Sequence, residues 1–536
     1  MMLARIPVAA VGAAAAMLIS GCAVGPDFEH PPPPEVTRYT PEPLAPRTTA
    51  TAGVQGGQAQ HFINGRDIPG EWWRLFGSRP LNSLVQKSLI ANPNLQAAQA
   101  ALRQAQEMIA AQKGKFFPSA DASFTPTRQQ QSTSLGAVTS TNATIFNLYT
   151  AQVAVTYALD VWGGNRRTVE SLQAQADNQR FLVEAAYLTL SSNVVVAAIQ
   201  EASLRGQIEA TNKLIDINSK MLEIMRRQFM EGYSNRSDVA AQEAALAQVK
   251  ATLPPLRKAL AQQRNLLSAL AGRFPSQEPM ETFRLAALQL PTELPVSVPS
   301  QLVEQRPDVR SSEELLRSAS AQVGVAIANM LPNLTLTPNI GYTATQLAQL
   351  ITPQTLFWSL AGTATHTVFD GFSLFHTERA AEAALDQAVA THRATVITAF
   401  QNVADSLRAL QNDADALKAA TEFERAAKIS LDLATQQMQS GNANIFLLLN
   451  AQQVYQQAII GLVVAQANRL SDTAALFQAL GGGWWNRVDV PSAETNDPVP
   501  PPNGAPELLV PVRFAFRCFG ELSTVALGTW PAQGRV

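Results

Sequence analysis

Charged side chains are scarce in this 536-residue sequence: they make up 15% of it, and the formal net charge is −2. Because nucleic-acid-binding proteins carry an excess of Lys and Arg, this balance gives no reason to expect DNA or RNA as a partner. Histidine is also rare, with five residues that show no metal-ligand spacing beyond an isolated pair. The sequence has no phosphate-binding loop and no nucleophile motif, so it predicts neither an enzyme nor a bound cofactor.

A long hydrophobic run is missing from residue 23 onward. The best candidate, residues 458–465, is eight residues long and contains Gly461. A helix needs roughly 20 predominantly apolar residues to span the hydrocarbon core of a bilayer. Only helices and closed β-barrels satisfy their backbone hydrogen bonds inside lipid, so any membrane crossing by the mature chain is predicted to be β-structure.

Residues 1–21 are predicted to be a signal peptide, with a basic start at Arg5 and an apolar stretch too short to span a bilayer. The small residues before Cys22 resemble the bacterial lipobox, in which the cysteine sulfur is acylated and becomes the new N-terminus. Ala23 follows, rather than Asp, which in such lipoproteins implies sorting to the outer membrane. The alternative is an ordinary secretory signal with an incidental cysteine. If Cys22 is acylated, Cys518 has no intramolecular partner, so no disulfide framework is expected.

The chain is a tandem duplication. Four pairs of landmarks recur at nearly constant separation: Pro93 to Pro118 and Pro307 to Pro332 are 214 residues apart, Asp160 and Asp370 are 210 apart, and Gly232 with Gly441 and Gly272 with Gly481 are 209 apart. Internal repeats at a fixed period indicate a duplicated structural unit. Here the unit is about 210 residues long.

The repeat divides the mature chain into four segments. Residues 22–70 are rich in Pro, Gly and Thr and are predicted to be an extended arm. Repeat 1 is assigned to residues 71–290 and repeat 2 to residues 291–485. Residues 486–536 form a C-terminal tail that is first Pro-rich and then apolar. Disorder, an additional contact segment and a shifted reading frame are all open interpretations of this tail.

Each copy is predicted to contain a helix, two short strands, a very long helix and a further helix. Residues 373–440 contain neither Gly nor Pro over 68 positions, which as one helix is roughly 100 Å. Apolar residues recur in steps of three and four, as in a coiled-coil seam, at Leu385, Val389, His392, Val396, Phe400, Val403, Leu407, Leu410, Ala414 and Leu417. A second stripe of small residues follows Ala381, Ala384, Ala388, Thr391 and Thr395. Two seams favour a ring of helices, and a spectrin-like bundle stays open.

Two local patterns concern the ends of helices. Asp160 and Asp370 stand at strand-to-helix junctions, where we expect them to cap helices rather than bind a ligand. Pro254 and Pro255 are predicted to break or kink the last helix of repeat 1, because proline lacks the backbone N–H and its ring clashes with the preceding turn.

The predicted strands, residues 119–128, 149–159, 333–342 and 357–368, alternate between apolar and small polar residues. In the second of them, Ala151, Val153 and Val155 face away from Gln152 and Thr156. Strands near ten residues with this alternation are typical of a transmembrane barrel. Four strands cannot close a barrel, since the smallest have about eight. The chain is therefore predicted to oligomerise, and a trimer would supply twelve strands around a water-filled lumen.

Four short stretches carry a family resemblance: Gly21-Cys22-Ala23-Val24-Gly25-Pro26-Asp27-Phe28, Trp72-Trp73-Arg74-Leu75-Phe76-Gly77, Leu159-Asp160-Val161-Trp162-Gly163 and Gln305-Arg306-Pro307-Asp308-Val309-Arg310. With them the chain resembles the TolC-type outer-membrane factors, in particular the NodT-like lipoprotein branch. The resemblance implies a mainly α fold with a small β part. That fold is a homotrimeric channel with a long α-barrel in the periplasm and a twelve-stranded β-barrel, four strands per chain, in the outer membrane.

The same resemblance implies a function and partners. It implies a passive exit duct for small molecules such as drugs or aromatic acids, with no cofactor apart from the lipid on Cys22. A periplasmic adaptor protein and an inner-membrane transporter would be its partners.

The resemblance also places the loops after the two repeated glycines at a closed periplasmic tip, where acidic rings help to shut the pore. Copy one offers Asp238 there, and we expect support from Asn235, Asn444 and Asn450. One Asp per chain in a threefold ring would bring three like charges close together. The alternative interpretation is that Asp238 caps the start of a helix.

Two other functions compete with small-molecule efflux. An exit duct for type I protein secretion would have the same architecture, and the lipobox and the stretch around Arg306 favour small-molecule efflux over it. A non-channel lipoprotein that scaffolds the envelope would share the long helices. Such a scaffold would have no use for strands with lipid-facing alternation.

Overall fold

The computed structural model describes residues 23–130, 132, 144–440 and 444–487. These residues form eight α-helices: α1 (Arg79–Ala91), α2 (Pro93–Lys113), α3 (Gly164–Met230), α4 (Arg236–Leu270), α5 (Pro299–Gln305), α6 (Pro307–Asn329), α7 (Ser373–Gln439) and α8 (Ile445–Ala479). They also form six β-strands: β1 (His61–Asn64), β2 (Ser119–Gln130), β3 (Ile145–Leu159), β4 (Glu293–Val296), β5 (Asn333–Ala344) and β6 (Leu356–Thr365). The predicted signal peptide, Cys22 and the tail from residue 488 lie outside the described residues.

The duplication predicted from the sequence is visible in the lengths of the elements. α3 and α7 have 67 residues each, and α4 and α8 have 35 each. β2 and β5 have 12 residues each. The order of helix, two strands, long helix and further helix is therefore confirmed in both copies, and the fold is mainly α with a small β part.

The apolar seam of α7 is filled within the chain only along part of its length. The predicted seam positions are buried from the middle of the helix onward, at Val403, Leu407, Leu410, Ala414 and Leu417. Helix α7 packs against both α8 and α6. Nearer the start of the helix, His392 is buried and bonds Ser312 of α6 at 2.9 Å, but Val389 is 50% exposed. Ala384 and Thr391, from the second stripe of small residues, are also exposed. The start of α7 thus offers an unfilled surface.

The strands β2, β3, β5 and β6 form one antiparallel sheet in that order. The hairpin of each repeat is joined to the other by pairing of β3 with β5, in which Leu159 lies opposite Leu334. Among the described residues, the outer edges of β2 and β6 have no strand partner. The strands differ slightly from the prediction, since β3 begins at Ile145 and β6 ends at Thr365.

The main hydrophobic core lies where the N-terminal part of the chain meets the long helices. Trp72 and Trp73 are almost completely buried, and the Trp72 ring stacks on Phe477 of α8 with 5.4 Å between ring centroids. Strand β1, from the segment predicted to be an arm, pairs in parallel with β4, at the start of repeat 2. The aromatic packing therefore ties repeat 1 to repeat 2, and the short parallel sheet ties the arm to repeat 2.

Arg469 of α8 holds the arm by its guanidinium group. The group is buried, and it donates to the backbone oxygens of Gly56 at 2.7 Å and Gln58 at 2.6 Å and to the Thr48 hydroxyl at 2.9 Å. The arm is thus attached to α8 mainly through its own backbone.

Near this site, burial and the neighbouring carboxyl of Asp472 raise the pKa of Asp413 on α7 to about 7.

Pro254 and Pro255 were predicted to break or kink α4, and the break is wrong. Helix α4 runs from Arg236 to Leu270 without interruption, and both prolines lie inside it. Their side chains are exposed, as are Lys250 and Ala251, whose carbonyls lose their helical donors. Because these residues lie on the exposed side of the helix, water can replace the missing N–H groups, and the helix tolerates the pair.

One described helix, α3, contains a stretch that is long and apolar enough to cross a membrane by composition, a criterion that is weak evidence by itself. Of that stretch, 56% is buried inside the protein. Val194, Val195 and Ile199 lie in the main hydrophobic core. The apolar character of α3 is therefore explained by packing.

Candidate functional site

The four connections between sheet and long helices lie at one end of the sheet. Ser119, the first residue of β2, pairs with Thr156 near the end of β3. Asn333, the first residue of β5, pairs with Thr365 at the end of β6. All four connections therefore lie at one boundary between the sheet and the helices: α2–β2, β3–α3, α6–β5 and β6–α7.

The first described residues are held at this boundary by Arg167 of α3. Its side chain is 5% exposed and donates to the backbone oxygens of Val24 at 3.0 Å and Gly25 at 3.2 Å. It also forms an ion pair of 2.7 Å with Asp27. In addition, the Val24 N–H donates to the Trp162 carbonyl at 3.1 Å. The residues that follow Cys22 are thus fixed where β3 gives way to α3.

Two glycines make this close approach possible. Gly163 has φ +75°, and a Cβ on it would lie 2.7 Å from the Cα of Ala23. A Cβ on Gly25 would overlap the backbone of Gly324 in α6. Glycine is required at such positions because any side chain would displace the passing backbone. The role of Arg167 was not predicted from the sequence, because no repeat or periodic pattern of residues indicates it.

The expectation that Asp160 and Asp370 cap helices is confirmed. The Asp160 carboxylate accepts from the backbone N–H groups of Asn165 at 2.8 Å and Arg166 at 3.1 Å, in the first turn of α3. Asp370 accepts from the Leu374 N–H at 2.7 Å, at the start of α7. Both carboxylates satisfy N–H groups that have no partner within the helix.

Two of the predicted gate residues lie together at the start of α4. Asn235 is the N-cap, and its side chain lies 3.3 Å from the backbone nitrogen of Asp238. In the other orientation of its amide, Asn235 donates instead to the Asp238 carboxylate at 3.1 Å. Asp238 therefore contacts Asn235 in either orientation, in the first turn, where a negative charge favours the positive end of the helix.

The other two predicted gate residues lie at the matching position in repeat 2. Asn444 is the N-cap of α8 and accepts from the Phe446 N–H at 3.0 Å. Asn450 lies in the second turn, with an exposed side chain. Asn444 matches Asn235 at a spacing of 209 residues, whereas the residue that matches Asp238 at this spacing is Leu447.

A layer of buried amides near these helix starts was missed by sequence reasoning. Gln242 of α4 donates to the backbone and side-chain oxygens of Asn218 at 3.2 Å and to Gln452 of α8 at 3.4 Å. The three lie within an apolar cluster, and the Gln242 Oε1 and Gln452 Nε2 atoms have no hydrogen-bond partner. The signal was available in the sequence, because the two glutamines stand 210 residues apart in the two copies.

The described part of the chain contains no group of three or more His, Cys, Asp or Glu residues that could hold a metal ion. The buried carboxylate of Glu201 binds Arg264 and Arg205 instead, each at 2.7 Å.

A family model described as outer membrane efflux protein matches residues 84–273 and 298–482. The two matched ranges correspond to the two structural repeats. The chain therefore belongs to the outer membrane efflux protein family, whose members form TolC-like channels and are not enzymes. Its function is that of an outer-membrane channel in an efflux system, as the sequence predicted.

Individual relatives agree with this assignment. The pyoverdine export outer membrane protein OpmQ of Pseudomonas putida is 26% identical over 449 residues, which cover 82% of this chain and 94% of the relative. OpmQ of Pseudomonas aeruginosa is 28% identical, and the match covers 77% of this chain and 87% of the relative. The probable efflux pump outer membrane protein TtgC of Pseudomonas putida is 26% identical, covering 89% and 96%.

Solved structures show the same fold. The outer-membrane channel OprN has a TM-score of 0.76 at 22% identity, and the match covers 86% of this chain and 100% of OprN. The Campylobacter jejuni CmeC outer membrane channel has a TM-score of 0.75 at 21% identity, covering 87% and 96%.

Proposed function

We propose that three copies of this chain form a ring whose twelve strands close a β-barrel in the outer membrane and whose helices continue the duct into the periplasm. The observation that carries the proposal is that the sheet and the helical layer end in open edges on the same sides. In the helical layer, α2 packs on α3, α3 on α6, and α6 on α7. This order matches the strand order β2, β3, β5, β6.

The two edge helices have surfaces to offer a neighbour. Along its 21 residues α2 buries Leu95 and Ile109 within the chain. At the other edge, α7 leaves its small-residue stripe around Ala384 and Thr391 exposed. Barrel closure removes unpaired strand edges, which are otherwise open to pairing with other chains. A ring in which the β2 and α2 edge meets the β6 and α7 edge of the next copy would cover both layers at once.

Reconstitution of the detergent-extracted protein into planar bilayers, with the native mass measured in parallel, tests this assembly. We expect the mass of three copies and discrete ion-conducting steps, because a closed twelve-stranded barrel encloses a water-filled lumen. A monomer or dimer without conductance would contradict the trimeric channel.

The proposed cargo is a small molecule, exported with a periplasmic adaptor and an inner-membrane transporter. Support for the cargo class comes from the relatives, which are named for the export of pyoverdine, antibiotics and toluene. At the helix starts that carry the gate candidates, Tyr233 and Phe446 are 82% and 71% exposed and offer apolar contacts to an adaptor. Deleting the gene for this chain should raise the accumulation of dye in its host. If deletion abolished only the secretion of a protein, the result would favour a type I secretion duct.

We further propose that Cys22 carries a covalent lipid that anchors the chain in the outer membrane. The Arg167 contacts hold residues 24–27 at the boundary between sheet and helices. The acyl chains would therefore enter the membrane beside the strands. Radiolabelled palmitate should be incorporated into the wild-type protein and into a Cys518→Ala variant but lost from Cys22→Ala. Label retained in Cys22→Ala would exclude this residue as the attachment site.

The last part of the proposal concerns the gate. Asp238, supported by Asn235, Asn444 and Asn450, would form a weakly acidic ring that favours cations. We expect Asp238→Asn to lower the cation preference of single channels by about fivefold, since one unit charge at close range contributes about 1 kcal/mol. The control is Asp216→Asn, which removes an exposed acid paired with Lys220 on the same hairpin. If the wild type and Asp238→Asn had equal selectivity, the gate would be contradicted, and the role of Asp238 would be confined to the start of α4.

A further inference from the structure

Buried polar atoms without a hydrogen-bond partner lie where the arm meets α7 and α8. Among the described residues, they include Nε of Arg469 on α8, Oδ2 of Asp413 on α7 and Oε1 of Gln60 in the arm. The Thr48 hydroxyl joins two of these residues, because it accepts from the Arg469 guanidinium and from the Gln60 N–H, each at 2.9 Å. Buried polar groups in proteins are nearly always paired, so this junction requires an explanation.

The unpaired oxygen of Asp413 belongs to a pair of carboxyls that two helices bring together. The Asp413 carboxyl on α7 lies within hydrogen-bond reach of the Asp472 carboxyl on α8. Two ionised carboxylates cannot bond each other, because neither has a proton to donate, and they repel where water is partly excluded. One proton shared by the pair supplies the missing donor. In agreement, burial and the Asp472 carboxyl raise the pKa of Asp413 to about 7, against the opposing charge of Arg469.

The guanidinium of Arg469 faces the arm rather than the carboxyl pair. Its terminal nitrogens donate to the carbonyls of Gly56 and Gln58 and to the Thr48 hydroxyl, and its Nε has no partner. Burial lowers the pKa of Arg469, and the charge of Asp413 partly offsets this effect. Arg469 therefore lies between two sets of acceptors, which are the uncharged groups of the arm and the carboxyl pair.

Two further contacts between the arm and α7 involve charged side chains, and both are exposed. Asp415 accepts from the Thr49 hydroxyl of the arm at 2.6 Å. Arg408 pairs with Glu42 of the arm at 2.9 Å. The side chain of Arg47, also in the arm, is exposed as well. Exposed charges are screened by water and salt, so the buried groups dominate the electrostatics of the junction.

We propose that the Asp413 and Asp472 carboxyls form a proton-dependent lock that holds residues 48–60 of the arm on α8. With one shared proton, the pair carries a single negative charge and leaves Arg469 bound to the arm. Loss of that proton leaves two negative charges, which draw the guanidinium toward the pair and away from the carbonyls of Gly56 and Gln58. The unpaired Nε of Arg469 then gains a carboxylate acceptor. The lock operates within one chain and does not depend on the ring or the cargo proposed above.

The direction of the effect follows from the raised pKa. While the arm is docked, the pair keeps its proton up to about pH 7, whereas release of the arm exposes Asp413 to water and returns its pKa to the ordinary 3.8. Release therefore frees one proton at any pH between these two values. The docked arm is most stable below about pH 4, loses stability as the pH rises from there, and is held with a constant, weaker affinity above about pH 7.

Hydrogen–deuterium exchange of the full chain in detergent measures how firmly the arm is held. The reporters are the backbone N–H groups of Thr48, Thr51 and Gln60, which donate to the Gln60 carbonyl, the Gly57 carbonyl and the Thr48 hydroxyl. Dividing each rate by that of an unfolded peptide removes the intrinsic effect of pH on exchange. We expect protection to fall about tenfold for each pH unit between about pH 5 and 6.5 and to level off above about pH 7, because release frees one proton. Protection that stays constant across this range would overturn the lock.

Three variants assign the proton. Asp413→Asn keeps the shape of the protonated acid and donates to Asp472, so protection should be independent of pH and about tenfold or more above the wild type at about pH 7.5. Asp472→Asn should remove the same pH dependence from the other helix, and it serves as the test if Asp413→Asn does not fold. Asp415→Asn is the matched control, because it removes an exposed acid that contacts the arm, and it should keep the wild-type slope. A wild-type slope in either of the first two variants, or its loss in Asp415→Asn, would contradict the proposal.

Discussion

Replacing Arg469 with methionine is expected to lower the free energy of unfolding by about 2–4 kcal/mol, because it removes three hydrogen bonds made by a buried guanidinium. The carbonyls of Gly56 and Gln58 lose their donor at 2.7 and 2.6 Å, and the Thr48 hydroxyl loses one at 2.9 Å but still accepts from the Gln60 N–H. Methionine has a similar length but cannot donate to any of them. Denaturant unfolding in detergent measures the change, and limited proteolysis should show faster cleavage near residues 48–58.

Arg408→Met is the matched control. Arg408 also contacts the arm, through an ion pair of 2.9 Å with Glu42, but the two side chains are 38% and 81% exposed. Exposed ion pairs contribute at most about 1 kcal/mol, so this variant should stay close to the wild type. If both variants lost the same stability, the arm would be held by its charges in general and not by the buried donors of Arg469.

Replacing Gly163 with alanine should cost about 3 kcal/mol, in two parts. A non-glycine residue at φ +75° is strained by about 1–2 kcal/mol. The new Cβ would also meet the Cα of Ala23 at 2.7 Å, so the N-terminal segment has to move, at a cost of about 1–3 kcal/mol. Thermal unfolding measures the total, and protease sensitivity before residue 30 reports displacement of the segment.

Gly371→Ala isolates the strain. Gly371 has φ +69°, and a Cβ on it would meet no atom within 4 Å. We therefore expect a cost of about 1 kcal/mol and no change at the N-terminus. If Gly163→Ala and Gly371→Ala lost similar amounts of stability, the position of Ala23 would not depend on Gly163.

Much of the architecture could be predicted from local patterns in the sequence. The length of α7 follows from 68 positions without Gly or Pro, and its buried seam follows from apolar steps of three and four. The strands follow from alternation, and the duplication follows from landmarks about 210 residues apart. These patterns succeed because helix and strand periodicity depend on residues that are near in sequence.

The candidate site was only partly predictable. Asn235 and Asn444 were predicted to support a gate, and the structure shows them as N-caps of α4 and α8, a role that was not predicted for them. Arg167 was not found, because its partners at Val24 and Asp27 are about 140 residues away in the chain. Pro254 and Pro255 were predicted to break or kink the helix because the sequence does not show that Lys250 and Ala251 lie on its exposed side.

The sequence by itself determined the repeat, the order of the elements and the family, since each depends on spacing along one chain. The tertiary structure decided which strands meet, how the arm is held by Arg469, and that the N-terminal segment passes against Gly163. The physical reason is that burial and hydrogen bonding depend on residues brought together from distant parts of the chain. No local period records those partners.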